Sequence, residues 1–355
     1  MKINYVLKQI CKYSGVLLFV VILLIQILAL GYTGTHRQGL HIDEHYSYIL
    51  SNSYDADRIS NASEVWNKWV NGNTFYDFLT VEKGEQFTYQ TVYENNAKDA
   101  HPPMFYFLLH TICSFIPGIW SPWIGMIMNI LLILLTQVVL YKLSRELMGN
   151  TLLAIVPVAI YGGMQVFVDT ALFIRMYPLM TLITVLLVWQ HYHLLTKEKK
   201  VSTIILCGFL TFLGTFTQYY FVFAAFFLAA AYCIFLLFQK KWKLLLAYSS
   251  SMLLGVISVF IVFPAGITQI LGSETNNIGK EVAGNFLNFS GWGSAIKNMV
   301  KQMLLGVFGG IGQSILISLI ILFITAAVLV ILRFTRKASS TKNQNSKKCY
   351  ILFWR

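Results

Sequence analysis

Two adjacent carboxylates near the N-terminus are the first residues suited to chemistry. Asp43 and Glu44 stand between His41 and His45, a short distance beyond the uncharged run from Tyr13 to Thr35. A carboxylate in this position could act as a general base that deprotonates a hydroxyl group. The alternative is a solvated turn with ordinary surface acids, and spacing alone favours that alternative.

The two histidines of this motif raise the question of a metal ion. His41 and His45 are four positions apart, so a helix would bring both imidazoles to one face. A metal needs at least one more ligand at suitable spacing, and the sequence offers none. We therefore predict neither a metal site nor a cofactor.

A second polar pair lies directly before two prolines. Asp99 and His101 precede Pro102, which opens an apolar segment ending at Pro117. Prolines favour the start and the stop of a helix, and a helix N-terminus attracts negative charge. Asp99 could therefore contribute to a binding site or cap the helix, and capping is the better interpretation of this pair alone.

The third candidate is Arg175, a single basic residue between two later apolar runs, in the stretch Asp169–Tyr177. A cation kept on the side of a membrane that is otherwise poor in positive charge suggests an anionic partner, such as a lipid phosphate. An internal ion pair with Asp169 is an equally good interpretation.

The composition identifies the elements that must position these residues. Of 355 residues, 56% are hydrophobic and only 12% are charged, with a mean hydropathy of +0.62. Soluble domains carry about a quarter charged residues. The net charge of +12 comes from short basic clusters between apolar runs, which is the positive-inside pattern and not a nucleic-acid-binding face. We predict an all-α polytopic membrane protein without a nucleic-acid partner.

The apolar runs predict eight transmembrane helices. They cover 14–32, 120–141, 150–168, 176–195, 201–218, 220–238, 244–264 and 312–332. The first run is longer than a signal-peptide core, so we interpret it as a retained helix and not as a cleaved signal. The segment Pro102–Pro117 is too short to cross a bilayer and is predicted to lie at the membrane surface. This choice keeps the basic clusters on the cytoplasmic side.

The same topology defines the remaining segments. Residues 1–13 are predicted to be cytoplasmic, 33–119 form a first extracytoplasmic loop, and 272–311 form a second with an amphipathic helix near Ala295–Leu305. No cysteine lies between Gly34 and Asp99, so no disulfide framework is expected in the first loop. Residues 333–355 form a cytoplasmic Lys-rich tail, and the chain could be an incomplete version of a longer protein.

Taken together, the motifs resemble those of the GT-C superfamily of membrane glycosyltransferases. The resemblance is greatest to the bacterial branch related to protein O-mannosyltransferases and the aminoarabinose lipid A transferase. It rests on Asp43-Glu44, Asp99-Ala100-His101-Pro102-Pro103, Arg175-Met176-Tyr177 and Thr217-Gln218-Tyr219-Tyr220. The last motif is similar to a Thr-His-Tyr-Tyr turn of the family, with Gln218 where His is common. The resemblance covers residues 14–271, which it implies form the catalytic module.

This resemblance implies a specific reaction. Family members move a sugar from a polyprenyl-phosphate carrier to an acceptor and invert the anomeric centre, without a nucleotide or an obligatory metal. It implies that Asp43 is the base, that Glu44 and Asp99 shape the acceptor or sugar site, and that Arg175 holds the lipid phosphate. It also implies that the sugar or lipid cavity is lined by His101, Tyr177, Tyr219 and Tyr220. The site would lie outside the cell membrane, and the acceptor could be protein, lipid or wall polymer.

Two other classes of protein remain as alternatives. One is a transporter or flippase of polyprenyl-linked cell-envelope glycans, and the other is a non-catalytic assembly factor for the same glycans. A transporter is expected to place ionisable groups near the middle of the bilayer. Here the ionisable groups cluster at the predicted external ends of the spans, which favours surface chemistry.

Overall fold

The computed structural model describes residues 2–54, 68–69, 71–196, 201–271 and 291–308. Every regular element in these ranges is an α-helix, which confirms the predicted helical membrane class. The chain forms two compact units, one of residues 1–163 and 167–289, the other of 164–166 and 290–355. All the candidate site residues belong to the first unit.

Fourteen helices are described, and they are numbered here in chain order. They are α1 (Lys2–Thr35), α2 (Ile42–Asn52), α3 (Asn73–Leu79), α4 (Tyr89–Ala97), α5 (Met104–Ser114), α6 (Pro122–Met148), α7 (Ile155–Gly162), α8 (Gln165–Leu172), α9 (Tyr177–Thr196), α10 (Val201–Thr217), α11 (Phe221–Phe238), α12 (Trp242–Val262), α13 (Ala265–Leu271) and α14 (Trp292–Phe308).

Five of these helices are long and apolar enough to cross a membrane: Gly15–Thr35 of α1, together with α6, α9, α11 and α12. They correspond to five of the eight predicted spans. At about 1.5 Å per residue, helices of this length match a hydrocarbon core of about 30 Å. The predicted span 312–332 lies outside the described residues.

Two predicted spans differ from a straight transmembrane helix. In place of 150–168 the chain forms α7 and α8, which meet at 68° as a broken span or re-entrant loop. Gly162 and Gly163 lie at this bend, and glycines permit such a change of direction. The second is the predicted span 201–218, where α10 is apolar but has only 17 residues.

Helix α5 is the segment that the sequence places at the membrane surface. It has 11 residues, which reach only about 16 Å at roughly 1.5 Å per residue, so it cannot span a bilayer. It packs against α2 with Phe105, Tyr106 and Leu109 buried. The short helix therefore buries its apolar side chains against the helix that carries Asp43 and Glu44.

Close backbone contact joins α10 to α12. A Cβ atom built on Gly255 would lie 2.3 Å from the carbonyl oxygen of Gly208, and one built on Gly208 would lie 2.4 Å from Oγ of Ser251. Small residues at such positions allow helices in a membrane to approach each other closely. A buried hydrogen bond of 2.6 Å between Nε2 of His191 and the hydroxyl of Tyr248 also links α9 to α12.

Contacts at the two ends of α6 show which other helix ends lie at each end of the bundle. At one end the hydroxyl of Tyr48 in α2 donates to the carbonyl of Ser121 and accepts from the amide of Gly125, at the start of α6. At the opposite end of α6, the Glu146 carboxylate lies 2.9 Å from Nε2 of His193, near the end of α9. The candidate residues of α2 and of the segment before α9 therefore lie at the same end of the bundle.

In the second unit, α14 contains the segment predicted as an amphipathic helix, Ala295–Leu305. Its apolar side chains Ile296, Met299 and Met303 recur at helical spacing and are exposed.

Candidate active site

Glu44 is the buried member of the acidic pair. It lies in the first turn of α2, where its carboxylate accepts from the amide of His41 (2.7 Å) and completes a capping box. The same carboxylate accepts from the amide of Ile174 at 2.9 Å, although the two residues are 130 positions apart. Glu44 therefore joins the start of α2 to the segment that carries Arg175.

Arg37 neutralises the charge of Glu44. Its Nη1 donates to Oε1 of Glu44 (2.7 Å) and to the carbonyl of Leu172 (2.6 Å), and its Nη2 donates to Oε2 of Glu44. This is a two-pronged arginine–carboxylate pair, the strongest hydrogen-bonded form of such contacts. The sequence motifs did not identify Arg37. The sequence feature that could have identified Arg37 is its position, seven residues before Glu44 on the predicted external side.

Asp43 presents a different environment from that of its neighbour. Its side chain is 47% exposed, and the closest charged or chargeable group is Nδ1 of His41, 3.7 Å away. That nitrogen also accepts from the amide of Asp43 at 3.2 Å, and no arginine or lysine of the described residues pairs with the carboxylate. The two adjacent acids thus differ in kind, because Glu44 is internally paired and Asp43 is open.

Arg175 is a buried cation with only uncharged contacts. It is 5% exposed. Its Nη1 lies 3.3 Å from the carbonyl of Asp43 and 3.5 Å from the hydroxyl of Tyr106, while Nη2 lies 3.1 Å from Nε2 of His101. Its Nε is buried and has no hydrogen-bond partner within the described part of the chain. The alternative interpretation, an ion pair with Asp169, is wrong, because the guanidinium contacts these three groups instead.

Asp99 and His101 form a relay that ends on Arg175. The Asp99 carboxylate lies 2.8 Å from Nδ1 of His101. A guanidinium only donates hydrogen bonds, so Nε2 of His101 accepts from Arg175 and Nδ1 carries the proton that Asp99 accepts. Asp99 does not cap α5, because the N-cap position is Pro103 and no side-chain hydrogen bond caps this helix. The capping interpretation is therefore wrong.

The backbone that carries Arg175 is held from two sides. The Ser47 hydroxyl of α2 donates to the carbonyl of Ile174 (2.7 Å), and the Asn129 amide of α6 donates to the carbonyl of Phe173 (2.7 Å). A Cβ atom on Gly125 would lie 2.4 Å from Cγ2 of Ile174, so glycine is needed for this approach. The position of Arg175 is thus set by α2 and α6 together.

Aromatic side chains surround the polar cluster. Tyr106 is fully buried, and burial raises the pKa of its phenol, with Arg175 acting in the opposite direction. Tyr177 is 38% exposed and lies nearly parallel to the ring of Phe173, at an angle of 10° and a centroid distance of 6.3 Å. The edge of His41 also contacts Phe173. The partly exposed ring of Tyr177 thus lies beside Phe173, whose ring also contacts the residue before α2.

Tyr219 and Tyr220 occupy a separate place in the first unit. The turn between α10 and α11 falls at 218–220, as predicted. The Tyr219 hydroxyl donates to Oε1 of Gln269 (2.6 Å), whose amide donates to the carbonyl of Asn96, whereas Tyr220 is 72% exposed. The described contacts of these tyrosines do not include Asp43 or Arg175. The buried side chain of Gln218 accepts from the amide of Tyr219.

No group of three His, Cys, Asp or Glu side chains in the described residues is arranged to hold a metal ion. The cluster instead combines one open carboxylate with one buried cation that lacks an anionic partner among the described residues. This combination can remove a proton from one group and stabilise negative charge on another.

Part of the chain is similar to a known protein family. Residues 100–267 match the sequence model of the family described as dolichyl-phosphate-mannose-protein mannosyltransferase, a little under half of the chain. The matched region contains His101, Arg175 and Tyr177, and Asp43 precedes it. No curated protein and no solved structure gives a significant match. Over these residues the chain is similar to that family, and the all-helical membrane fold is consistent with the match.

Proposed function

We propose that this protein is an inverting glycosyltransferase that moves a sugar from a polyprenyl-phosphate carrier to an acceptor hydroxyl at the outer face of the cell membrane. The observation that carries the proposal is the burial of Arg175 without a carboxylate partner in the described structure, next to the open carboxylate of Asp43. A buried cation is costly unless an anion compensates its charge. A phosphate group supplies that anion.

The proposed reaction is a single displacement at the anomeric carbon. The Asp43 carboxylate takes the proton of the acceptor hydroxyl as its oxygen bonds to the anomeric carbon. The bond from that carbon to the phosphate oxygen breaks on the opposite face, and its electron pair leaves with the polyprenyl phosphate. Arg175 stabilises the charge that develops on the leaving group. One displacement inverts the configuration at the anomeric carbon.

The remaining residues receive supporting roles in this proposal. Asp99 fixes the tautomer of His101, which in turn orients the guanidinium of Arg175. Tyr177 and the neighbouring Phe173 ring face the sugar or the first isoprene units. Glu44 positions backbone and does not take a proton, because both of its oxygens are occupied. Roles for Tyr219 and Tyr220 in the lipid cavity remain predictions from family resemblance.

The distribution of charge supports the proposed orientation. The basic residues Lys142 and Arg145 lie near the end of α6 that is opposite to the site. Lys240 and Lys241 lie in the turn between α11 and α12, and Lys243 lies in the first turn of α12. The positive-inside rule assigns such clusters to the cytoplasm. The site end then faces outward, where lipid-linked donors rather than nucleotide sugars are the expected substrates.

The decisive experiment compares wild type with Asp43→Asn in membranes that contain labelled polyprenyl-phosphate sugars. The amide keeps the shape of the side chain and cannot act as a base, so transfer should fall by about 10²- to 10⁴-fold. Binding of polyprenyl phosphate should be retained, since Asp43 contacts Arg175 through its main-chain carbonyl. Unchanged transfer by the variant would contradict the proposal. Donor translocation without transfer would favour a flippase.

A further inference from the structure

A second arginine at the site binds protein groups instead of ligand. Glu44 is fully buried, and its carboxylate accepts four hydrogen bonds: two from Arg37, one from the amide of His41 and one from the amide of Ile174. Arg37 donates a further bond to the carbonyl of Leu172. The pair therefore has no free acceptor for a substrate proton and little capacity to bind a phosphate.

These bonds connect two regions that are remote in the chain. They join Arg37, His41 and Glu44, around the start of α2, to Leu172 and Ile174, at the end of α8 and in the link to α9. Asp43 is the neighbour of Glu44, and Arg175 is the neighbour of Ile174. Asp43 and Arg175 are thus each adjacent in the chain to a residue that takes part in these hydrogen bonds.

We infer that the Arg37–Glu44 ion pair is a positioning device, which sets the distance between the carboxylate of Asp43 and the phosphate held by Arg175. This inference rests on the proposed glycosyl transfer. In-line displacement requires the base and the leaving group to lie on opposite faces of one sugar, so a shift of about 1 Å in their separation can cost about 10²-fold in rate. The inferred role is to hold that separation while contacting neither substrate.

The test uses substitutions that change the geometry without leaving a bare buried charge. Truncation of Arg37 alone would leave Glu44 charged and buried, which is strongly destabilising. Arg37→Lys keeps the charge, but one ammonium group cannot bond both carboxylate oxygens and the carbonyl of Leu172 in the same geometry. Glu44→Gln removes the charge and turns one acceptor into a donor facing other donors.

The measured quantities are kcat, the KM for the polyprenyl-phosphate sugar, and the Kd for polyprenyl phosphate alone. For Arg37→Lys and for Glu44→Gln we expect kcat to fall by about 10- to 100-fold, with the Kd within about threefold of wild type. The double variant should lose no more than the worse single variant, because the two residues act as one unit. A matched fall in kcat from two partners that touch neither substrate would support positioning.

Several outcomes separate failure of this inference from failure of the proposed function. If wild type transfers sugar and Arg37→Lys keeps the wild-type kcat, the inference is overturned and the function stands. A Kd weakened as much as in an Arg175 variant would make Arg37 a phosphate ligand and also overturn it. Loss of folded protein in proportion to the lost activity, with kcat per folded molecule unchanged, would reduce the pair to a stabilising contact. A wild type that neither binds nor transfers the donor would refute the proposed function itself.

Discussion

The guanidinium of Arg175 donates to the main-chain carbonyl of Asp43 across 3.3 Å, and the two residues are 132 positions apart. The contact leaves the carboxylate of Asp43 out of the bond and open to solvent, with 47% of the side chain exposed. A proton acceptor and a buried cation are therefore adjacent without neutralising each other. Had the same guanidinium bonded the carboxylate, both groups would have lost their proposed functions.

Replacement of Arg175 tests the phosphate site. Arg175→Ala should weaken binding of polyprenyl phosphate by about 10- to 100-fold, because charge-assisted hydrogen bonds contribute about 1.5–3 kcal/mol. The variant should stay folded, because Arg175 bonds no carboxylate directly and Asp99 keeps its hydrogen bond to His101. Fluorescence titration with the lipid measures the first effect, and the acceptor KM should change much less. Arg145→Ala removes an exposed cation at the far end of α6 and serves as the control. Equal weakening of donor and acceptor binding would count against the assigned role.

The tautomer inferred for His101 leads to a prediction about two substitutions. Gln can present an oxygen to Nη2 of Arg175 as the imidazole does, whereas Phe of similar size cannot. His101→Phe should therefore lose about tenfold more donor affinity than His101→Gln, which corresponds to one hydrogen bond of about 1–1.5 kcal/mol. Side-by-side donor titrations measure this difference. Two variants with identical affinities would show that acceptance by His101 does not orient Arg175.

Two glycine-to-alanine substitutions, one at the contact of α10 with α12 and one in α1, should have different effects on stability. Gly255→Ala would place a methyl group 2.3 Å from the carbonyl oxygen of Gly208, so unfolding free energy should fall by about 1–3 kcal/mol. Gly31→Ala introduces a methyl where no atom lies within 4 Å, and alanine favours the helix by up to about 1 kcal/mol. Thermal unfolding in detergent should show a lower Tm for Gly255→Ala and an unchanged or higher Tm for Gly31→Ala. A similar Tm for both would contradict the close packing.

The orientation of the bundle can be measured at the two ends of α11. Tyr220 is 72% exposed at the site end, and Lys241 follows the opposite end. In a cysteine-free background, Tyr220→Cys should react with a membrane-impermeant maleimide on intact cells. Lys241→Cys should react only after permeabilisation, as the positive-inside rule requires. The reverse pattern would place the site in the cytoplasm and remove the argument for an external lipid-linked donor.

The sequence alone determined the helical membrane class, five of the predicted spans as long apolar helices, and the turn at 218–220. It could do so because the length of an apolar run and the positions of basic residues are local properties of the sequence. These properties determine which segments cross a bilayer and in which direction. It also identified Asp43, His101 and Arg175 as candidates. The bend between α7 and α8 was missed, because glycines inside an apolar run do not reveal whether neighbouring helices will support a break.

Only the tertiary structure separated the roles of the two adjacent acids. Asp43 and Glu44 are indistinguishable by residue type and place in the chain, yet one is open and the other is buried against Arg37 and Ile174. Likewise, the sequence offered Asp169 as the partner of Arg175, and the fold supplied His101 and Tyr106 instead. These contacts join segments up to 132 residues apart. Charge pairing depends on distances in three dimensions, which local spacing does not contain.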